Sequence, residues 1–200
     1  PMSRGLGDVY KRQVLYIKTN MCGRYVISGD PFELGFQDNY NVSPGSIIPM
    51  KTIDCDGQLV KWSFSPSWKQ NMNLINCRNE SMYDKPSFKD AKRCIIPFSG
   101  WYEWKKENNL KTPYYFYTEA QYFAGLYNDS GCLIVTEEAS GINATIHHRQ
   151  PVQLSHLNIS DWFMGKKLDE IKRNYEIRFY EVSRDVNNPR NNNPSLTKAL

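Results

Sequence analysis

The 200-residue chain has no apolar run near the roughly 18 residues that a membrane-crossing helix needs. Its opening segment also lacks the apolar core of a secretory signal. The five cysteines, Cys22, Cys55, Cys77, Cys94 and Cys132, are odd in number and far apart, with no CxxC pair. Neither a disulfide framework nor a zinc site is suggested, and a reducing cytoplasm is the expected home. The three histidines have no metal-ligand spacing with any cysteine, so no metal is expected. Glycine-rich phosphate loops, GxSxG elbows and EF-hand spacing are missing too, and no cofactor is implied.

Charge of one sign is also scarce. The net charge is +4, but residues 1–20 hold Arg4, Lys11, Arg12 and Lys18 against one acid, Asp8, which leaves +1 for the other 180. Binding to a polyanion must therefore come from a local patch rather than from bulk charge. The first twenty residues have no hydrophobic period and no capping logic. DVYKRQ at 8–13 resembles the translated end of a widely used sequencing-library transposon, and VLYIKTN reads as translated upstream sequence. Residues 1–20 are therefore expected to be a non-native extension, with residues 21–200 as the domain. A short natural basic tail and a self-cleaved propeptide are the competing readings. With the extension absent, Met21 is the initiator and its removal leaves Cys22 as the first residue.

What is present is globular: 40% hydrophobic and 14% aromatic residues, enough to bury one core. SIIPMKTID and QLVKWSF flank Asp56-Gly57 as a hairpin. CIIPFSGWYEWKK and TPYYFYTE flank ENNLK as a second, and YFAGLY and CLIVTEEA flank NDSG as a third. PVQL and YEIRFYEVS read as later strands, and PSFKDAKR as a short helical turn. Ser160 is positioned to cap a helix over DWFMGKKLDEIKRNY, broken at Gly165, and the Asn- and Pro-rich end reads as loop. The expected fold is α+β: one compact domain dominated by antiparallel strands in barrel-like sheets, with a few short helices.

Several short stretches carry chemistry. A terminal Cys22 would offer a thiol and an α-amine side by side. An α-amine titrates near about 7.7 against about 10.4 for lysine, so its neutral fraction at pH 7 is roughly several hundredfold larger. Such an amine condenses with an aldehyde, and the thiol can close on the imine as a five-membered thiazolidine. Taken singly, a free Cys is more often a small buried hydrophobe. In INCRNES, Asn76 and Arg78 share one face of an extended segment, where an amide can orient an oxygen and a guanidinium can hold a phosphate. In GWYEWK, alternation sends Trp101 and Glu103 one way and Tyr102 and Trp104 the other. A carboxyl among aromatics is desolvated, which raises its pKa and suits proton transfer. IHHRQP places two histidines beside Arg149, of which a strand turns one inward. Trp68 in PSW can stack on an unpaired base. A loop Asn, a solvated Arg, an edge Glu, a structural His and a core Trp are the structural alternatives.

The ordered set MCGRY, YNVSP, PSW, INCRNES, RCIIPFSGWYEW, IHHRQPV and VSRDVNN resembles the SOS-response-associated peptidase (SRAP) family, from Met21 to about Asn192. The resemblance implies a monomeric enzyme acting on single-stranded DNA that contains abasic sites. It would capture the abasic aldehyde covalently, with associated peptidase and lyase-type activity. It places the catalytic roles on Cys22, Asn76, Glu103 and His147. DNA contacts fall on Arg24, Asn41, Pro44, Trp68, Arg78 and Arg149. Three departures stand out: His148 follows His147 where the family usually has an acid or Asn, Cys77 replaces a small residue, and WSFSPSW is unusually polar. Two rivals remain open. N-terminal-nucleophile amidohydrolases also begin Met-Cys-Gly but continue with an aliphatic residue and a glycine, unlike Arg24-Tyr25. A non-catalytic single-stranded-DNA binder would use Arg24, Trp68 and Arg78 alone.

Overall fold

Short runs of β-branched and aromatic residues, interrupted by Gly, Pro, Asn and Asp, fold as strands in the computed structural model, which describes residues 22–200. The expected extension at 1–20 lies outside the described residues. In chain order the strands are β1 (Arg24–Ile27), β2 (Asn39–Val42), β3 (Ile47–Met50), β4 (Gln58–Lys61), β5 (Asn76–Arg78) and β6 (Lys92–Pro97). They continue as β7 (Gly100–Glu107), β8 (Leu110–Tyr117), β9 (Tyr122–Asn128), β10 (Gly131–Glu138), β11 (Arg149–Pro151), β12 (Gln153–Leu154) and β13 (Arg178–Glu181). One α-helix, α1 (His156–Phe163), precedes β13.

All three expected hairpins form, as β3–β4, β7–β8 and β9–β10. The β7–β8 turn is Asn108-Asn109, both at positive φ (46° and 66°), a conformation that asparagine tolerates and that matches the right-handed strand twist. One sheet runs β13-β8-β7-β1-β2. The second is built on β9 and β10, with β6 along the outer edge of β9 and β5 running parallel to β10. Beyond Gly125 and Ile134 those two central strands part, and the chain through β11, Val152 and β12 fills the gap, bonding β10 on one side and β9 on the other. The strand-dominated α+β fold is as expected, and among the described residues these two sheets stay open rather than closing into a barrel, with β3–β4 as a separate two-stranded sheet.

Three buried clusters follow from strand alternation. Cys22, Tyr25, Trp101 and Phe116 from the first sheet meet Ile96, Phe123 and Ile134 from the second. The far face of the second sheet packs Leu133 and Val135 on Trp162 of α1. The far face of the first packs Val26, Tyr102 and Tyr115 beneath Val182, Val186 and Leu196.

Two expected elements are corrected. The run CIIPFSGWYEWKK is two strands in different sheets, because the chain crosses between them at Phe98-Ser99. Phe98 N–H bonds Gln121 O, and Ser99 N–H bonds Val26 O in β1. Hydrophobic period alone cannot reveal such a crossing. Gly100 follows it, and a Cβ there would lie 2.3 Å from the Tyr115 ring and 2.6 Å from the Phe116 carbonyl. Gly100→Ala should therefore cost about 1–3 kcal/mol of stability by overpacking, read as a lower denaturation midpoint. An unchanged midpoint would show that β7 and β8 can separate there without cost.

The helix lies earlier than expected. Ser155, not Ser160, caps it through a capping box with Asn158, and it ends at Met164 before Gly165 at φ +91°. The stop is a long-range effect. Arg93 lies 4.1 Å over the Trp162 ring and donates to the carbonyls of Trp162, Gly165 and Lys166, taking the groups a longer helix would use. PSFKDAKR yields one 3-10 turn, Pro86–Phe88, as its length allows. Among the described residues no helix is long and apolar enough to cross a membrane.

Candidate active site

β1 pairs with β7 so that Arg24 faces Tyr102 and Tyr25 faces Trp101. This register runs Cys22 past the backbone beside Glu103, and both side chains enter the space between the sheets. Cys22 is fully buried, its thiol hydrogen-bonded to Glu103 while its sulfur accepts from the Arg24 N–H. Burial first, and then the Glu103 carboxyl, push the thiol well above its ordinary pKa. Burial likewise pushes the Glu103 carboxyl well above the usual range, with the bond from Cys22 opposing the shift. Both shifts favour the neutral forms, which keep a proton between sulfur and oxygen. Glu103 Oε1 is buried without a hydrogen-bond partner, while Oε2 stands 3.6 Å from His147 Nδ1.

His147 follows the 3-10 turn Gly141–Thr145 and immediately precedes His148 and β11. Its Nδ1 lies 2.9 Å from the Arg149 carbonyl oxygen. The Arg149 N–H also points at Nδ1, at 3.3 Å, but the carbonyl is the shorter contact and can only accept, so it favours the proton on Nδ1. His148 is exposed, its ring centroid 4.6 Å from that of His147, and it lines an adjoining hollow with Lys105, Lys106 and Glu107. Of the two imidazoles, His147 is therefore the one beside Glu103.

Above these groups opens a cavity of about 440 Å³. Gly23, Arg24, Pro44, Ile75 and Asn187 line it, together with Trp104, Lys106 and Lys111 from the β7–β8 hairpin. Lys106 and Lys111 are direct cross-strand partners, which concentrates positive charge at one wall. Asn76 is buried next to Ile75, its Oδ1 without a partner and its Nδ2 a distant 3.5 Å from Ile134 O.

The other expected residues divide. Arg24 is on the wall, donating to Asn41 Oδ1 and Val186 O, both at 2.8 Å. Asn41 is buried behind it, and its Nδ2 reaches the carbonyls of Val186, Asn188 and Asn191. It braces Arg24 and the 186–191 loop rather than facing a ligand. Asn41→Ala should cost about 2–3 kcal/mol, because it strands several buried carbonyls at once. It should also release Arg24 from its place on the cavity wall. A midpoint within 0.5 kcal/mol of wild type would contradict the bracing role.

Arg78 is exposed at the end of β5, outside this cavity. Trp68 is also exposed and lines a different hollow of about 710 Å³, with Tyr127, Asp90 and Asn128. Arg149 turns inward. It is 4% exposed and makes a bidentate pair with Glu80, at 2.7 and 3.0 Å, plus a 2.7 Å bond to Thr136 O. Its expected place among the DNA contacts is not what this geometry offers.

Cys77 faces the opposite core, where burial raises its thiol pKa. The polar WSFSPSW stretch is absorbed locally. Ser65 Oγ accepts from Asn73 N–H, and Ser63 Oγ bonds Asn73 Oδ1. Sequence reasoning missed Trp104, Lys106, Lys111 and Asn187 as lining residues. Lys106 and Lys111 sit at equal distances from the Asn108-Asn109 turn, a spacing that would have paired them. The bond from Trp104 Nε1 to Asn187 Oδ1, at 2.7 Å, has no local signal. Among the described residues no group of three or more His, Cys, Asp or Glu is arranged to hold a metal.

The sequence profile of the SOS response associated peptidase (SRAP) family matches residues 21–189. Abasic site processing protein YoqW of Bacillus subtilis is 31% identical over 90% of this chain and its own full length. YedK of Escherichia coli, named likewise, is 30% identical over 86% of this chain and 87% of its own. HMCES of Xenopus tropicalis is 27% identical over 82% and 67%. A crystal structure of a protein from Bacteroides thetaiotaomicron superposes with a TM-score of 0.76 at 22% identity, covering 90% of this chain and all of its own. A buried Cys–Glu pair with an adjacent imidazole, set between open sheets, thus lies in a chain that belongs to the SOS response associated peptidase family.

Proposed function

We propose that the protein captures abasic sites in single-stranded DNA as a covalent adduct on Cys22. The carrying observation is the line Cys22–Glu103–His147 beneath a cavity walled by Arg24, Lys106 and Lys111. Relatives at 30–31% identity named abasic site processing proteins support the substrate class.

The reaction requires a free Cys22 α-amine, so the Met21–Cys22 bond must be absent or hydrolysed. The family's peptidase name fits that step, and its profile begins at Met21. The amine adds to the open-chain aldehyde of the deoxyribose to give a carbinolamine, which loses water to the imine as His147 and Glu103 move the protons. The Cys22 sulfur then bonds to the imine carbon. The thiol proton passes by way of Glu103 to the nitrogen, closing the thiazolidine. No oxidant or cofactor enters the balance. A carboxyl pKa raised by burial suits this duty, because it lets the group hold a proton to give as well as take one. Arg24, Arg78, Lys106 and Lys111 hold flanking phosphates, which positions the strand without reading its sequence. Trp68 stacks on a base farther along it.

The test mixes a single-stranded oligonucleotide bearing one abasic site with two proteins, one beginning at Cys22 and one retaining residues 1–21. The expected result is a heat- and denaturant-stable DNA–protein band from the first. A band from the second requires that its new N-terminus be Cys22, which sequencing reads. Reversible, salt-sensitive binding with no stable band from either would leave a non-catalytic DNA binder and overturn the proposal.

A further inference from the structure

We propose that Arg149 is a positioning residue for His147, working with Glu80 and Thr136 as an internal clamp rather than as a phosphate contact. The proposal rests on the reading of Cys22, Glu103 and His147 as the reacting groups.

The clamp joins three segments that local pairing holds weakly. β11 is three residues long and bonds the end of β10 where that strand has already left β9. Glu80 lies in the 3-10 turn Asn79–Ser81 directly after β5, the strand that carries Asn76 and Arg78. Its carboxylate takes both terminal nitrogens of Arg149 and also the Glu138 N–H, at 3.2 Å. The same guanidinium donates to Thr136 O and approaches Thr136 Oγ1, and that hydroxyl donates to Cys77 O at 3.1 Å. One side chain thus ties β5, β10 and β11 together at the edge of the site.

The consequence for chemistry runs through the backbone of Arg149. Its carbonyl meets His147 Nδ1 at 2.9 Å and its N–H lies 3.3 Å from the same nitrogen, so the two backbone groups of Arg149 set the tilt of the ring and the nearer one favours the Nδ1–H tautomer. With the guanidinium anchored, that carbonyl is fixed, and the ring stands 3.6 Å from Glu103. A phosphate at Arg149 would have to displace a bidentate carboxylate from a nearly buried guanidinium that also holds Thr136 O, so little of the cation is left to offer.

The variants Glu80→Gln and Arg149→Gln test this, since both lose the fork-to-fork pair and the second also removes the charge a phosphate would need. Three readouts are taken: the capture rate per folded molecule, the salt dependence of binding to intact single-stranded DNA, and the side-chain 15N shifts of the histidines. Only His147, His148 and His156 contribute, so the spectrum is short. The expected result is capture at least tenfold slower and His147 nitrogen shifts moving toward a mixed tautomer. His148 and His156 should hold still, and the salt slope should not change. A salt slope smaller by about 0.7 in Arg149→Gln, with His147 unmoved, would make Arg149 a phosphate contact and overturn the proposal. A lower melting temperature alone, with rate and His147 signals unchanged, would also overturn it, as a merely structural pair. If wild type captures nothing, the functional reading fails, while the His147 shifts still decide the clamp.

Discussion

Replacing Cys22 by alanine is expected to abolish the denaturant-stable DNA adduct, a loss of at least about 10³-fold, while non-covalent affinity for single-stranded DNA stays within about twofold. The size follows from the division of labour on one residue. An N-terminal alanine keeps the α-amine and still forms an imine with the abasic aldehyde, but water reverses an imine. Without sulfur no ring closes, so the adduct does not survive heating. Adding borohydride should reduce the imine and restore a stable band in Cys22→Ala, which separates the roles of amine and thiol. No other thiol can substitute: Cys77, Cys94 and Cys132 are buried and carry no α-amine beside the sulfur, and Cys55 lies in the β3–β4 loop. A stable band from Cys22→Ala without reductant would place the nucleophile on another residue.

Glu103→Gln should slow capture by about 10²–10⁴-fold, the usual range for loss of a positioned acid–base group. Glutamine keeps the volume and can still accept a bond from the Cys22 thiol, but it cannot take the proton. The same variant should raise stability, and the sign follows from burial. In the native state Glu103 holds its proton to a higher pH than the unfolded chain does, so unfolding releases a proton between the two values. Native stability from this group is full below about 4.5, the ordinary carboxyl value, and is lost as pH rises through the raised one. Glu103→Gln removes that loss. Denaturant midpoints at pH 4, 6 and 8 should match wild type at the lowest pH and exceed it increasingly above. A variant less stable than wild type at pH 8 would contradict a desolvated Glu103. A functional site that destabilises its own fold is a familiar trade-off.

Much of this protein was legible before any coordinates. The three hairpins were written in turn residues and period-two runs, because a hairpin is local and its turn chemistry lies between its strands. The inward pairing of Trp101 with Glu103 followed from alternation alone. The chemistry of a terminal Cys22 followed from what a thiol and an amine can do on adjacent atoms.

What only the tertiary structure decided depends on partners far away in the chain. The crossing at Phe98-Ser99 is set by Gln121 and Val26, and the end of α1 by Arg93, about seventy residues upstream. Asn41 braces Arg24 because the loop at 186–191 folds back on it. Arg149 looked like a DNA contact from its place in IHHRQP, yet Glu80, 69 residues earlier, turns it inward. The choice between His147 and His148 needed the position of Glu103. Local sequence specifies turns, faces and reactive groups through forces that act over a few residues. Which side chain meets which across the core is settled by long-range packing and by the need to pair each buried charge, and those partners are not neighbours in sequence.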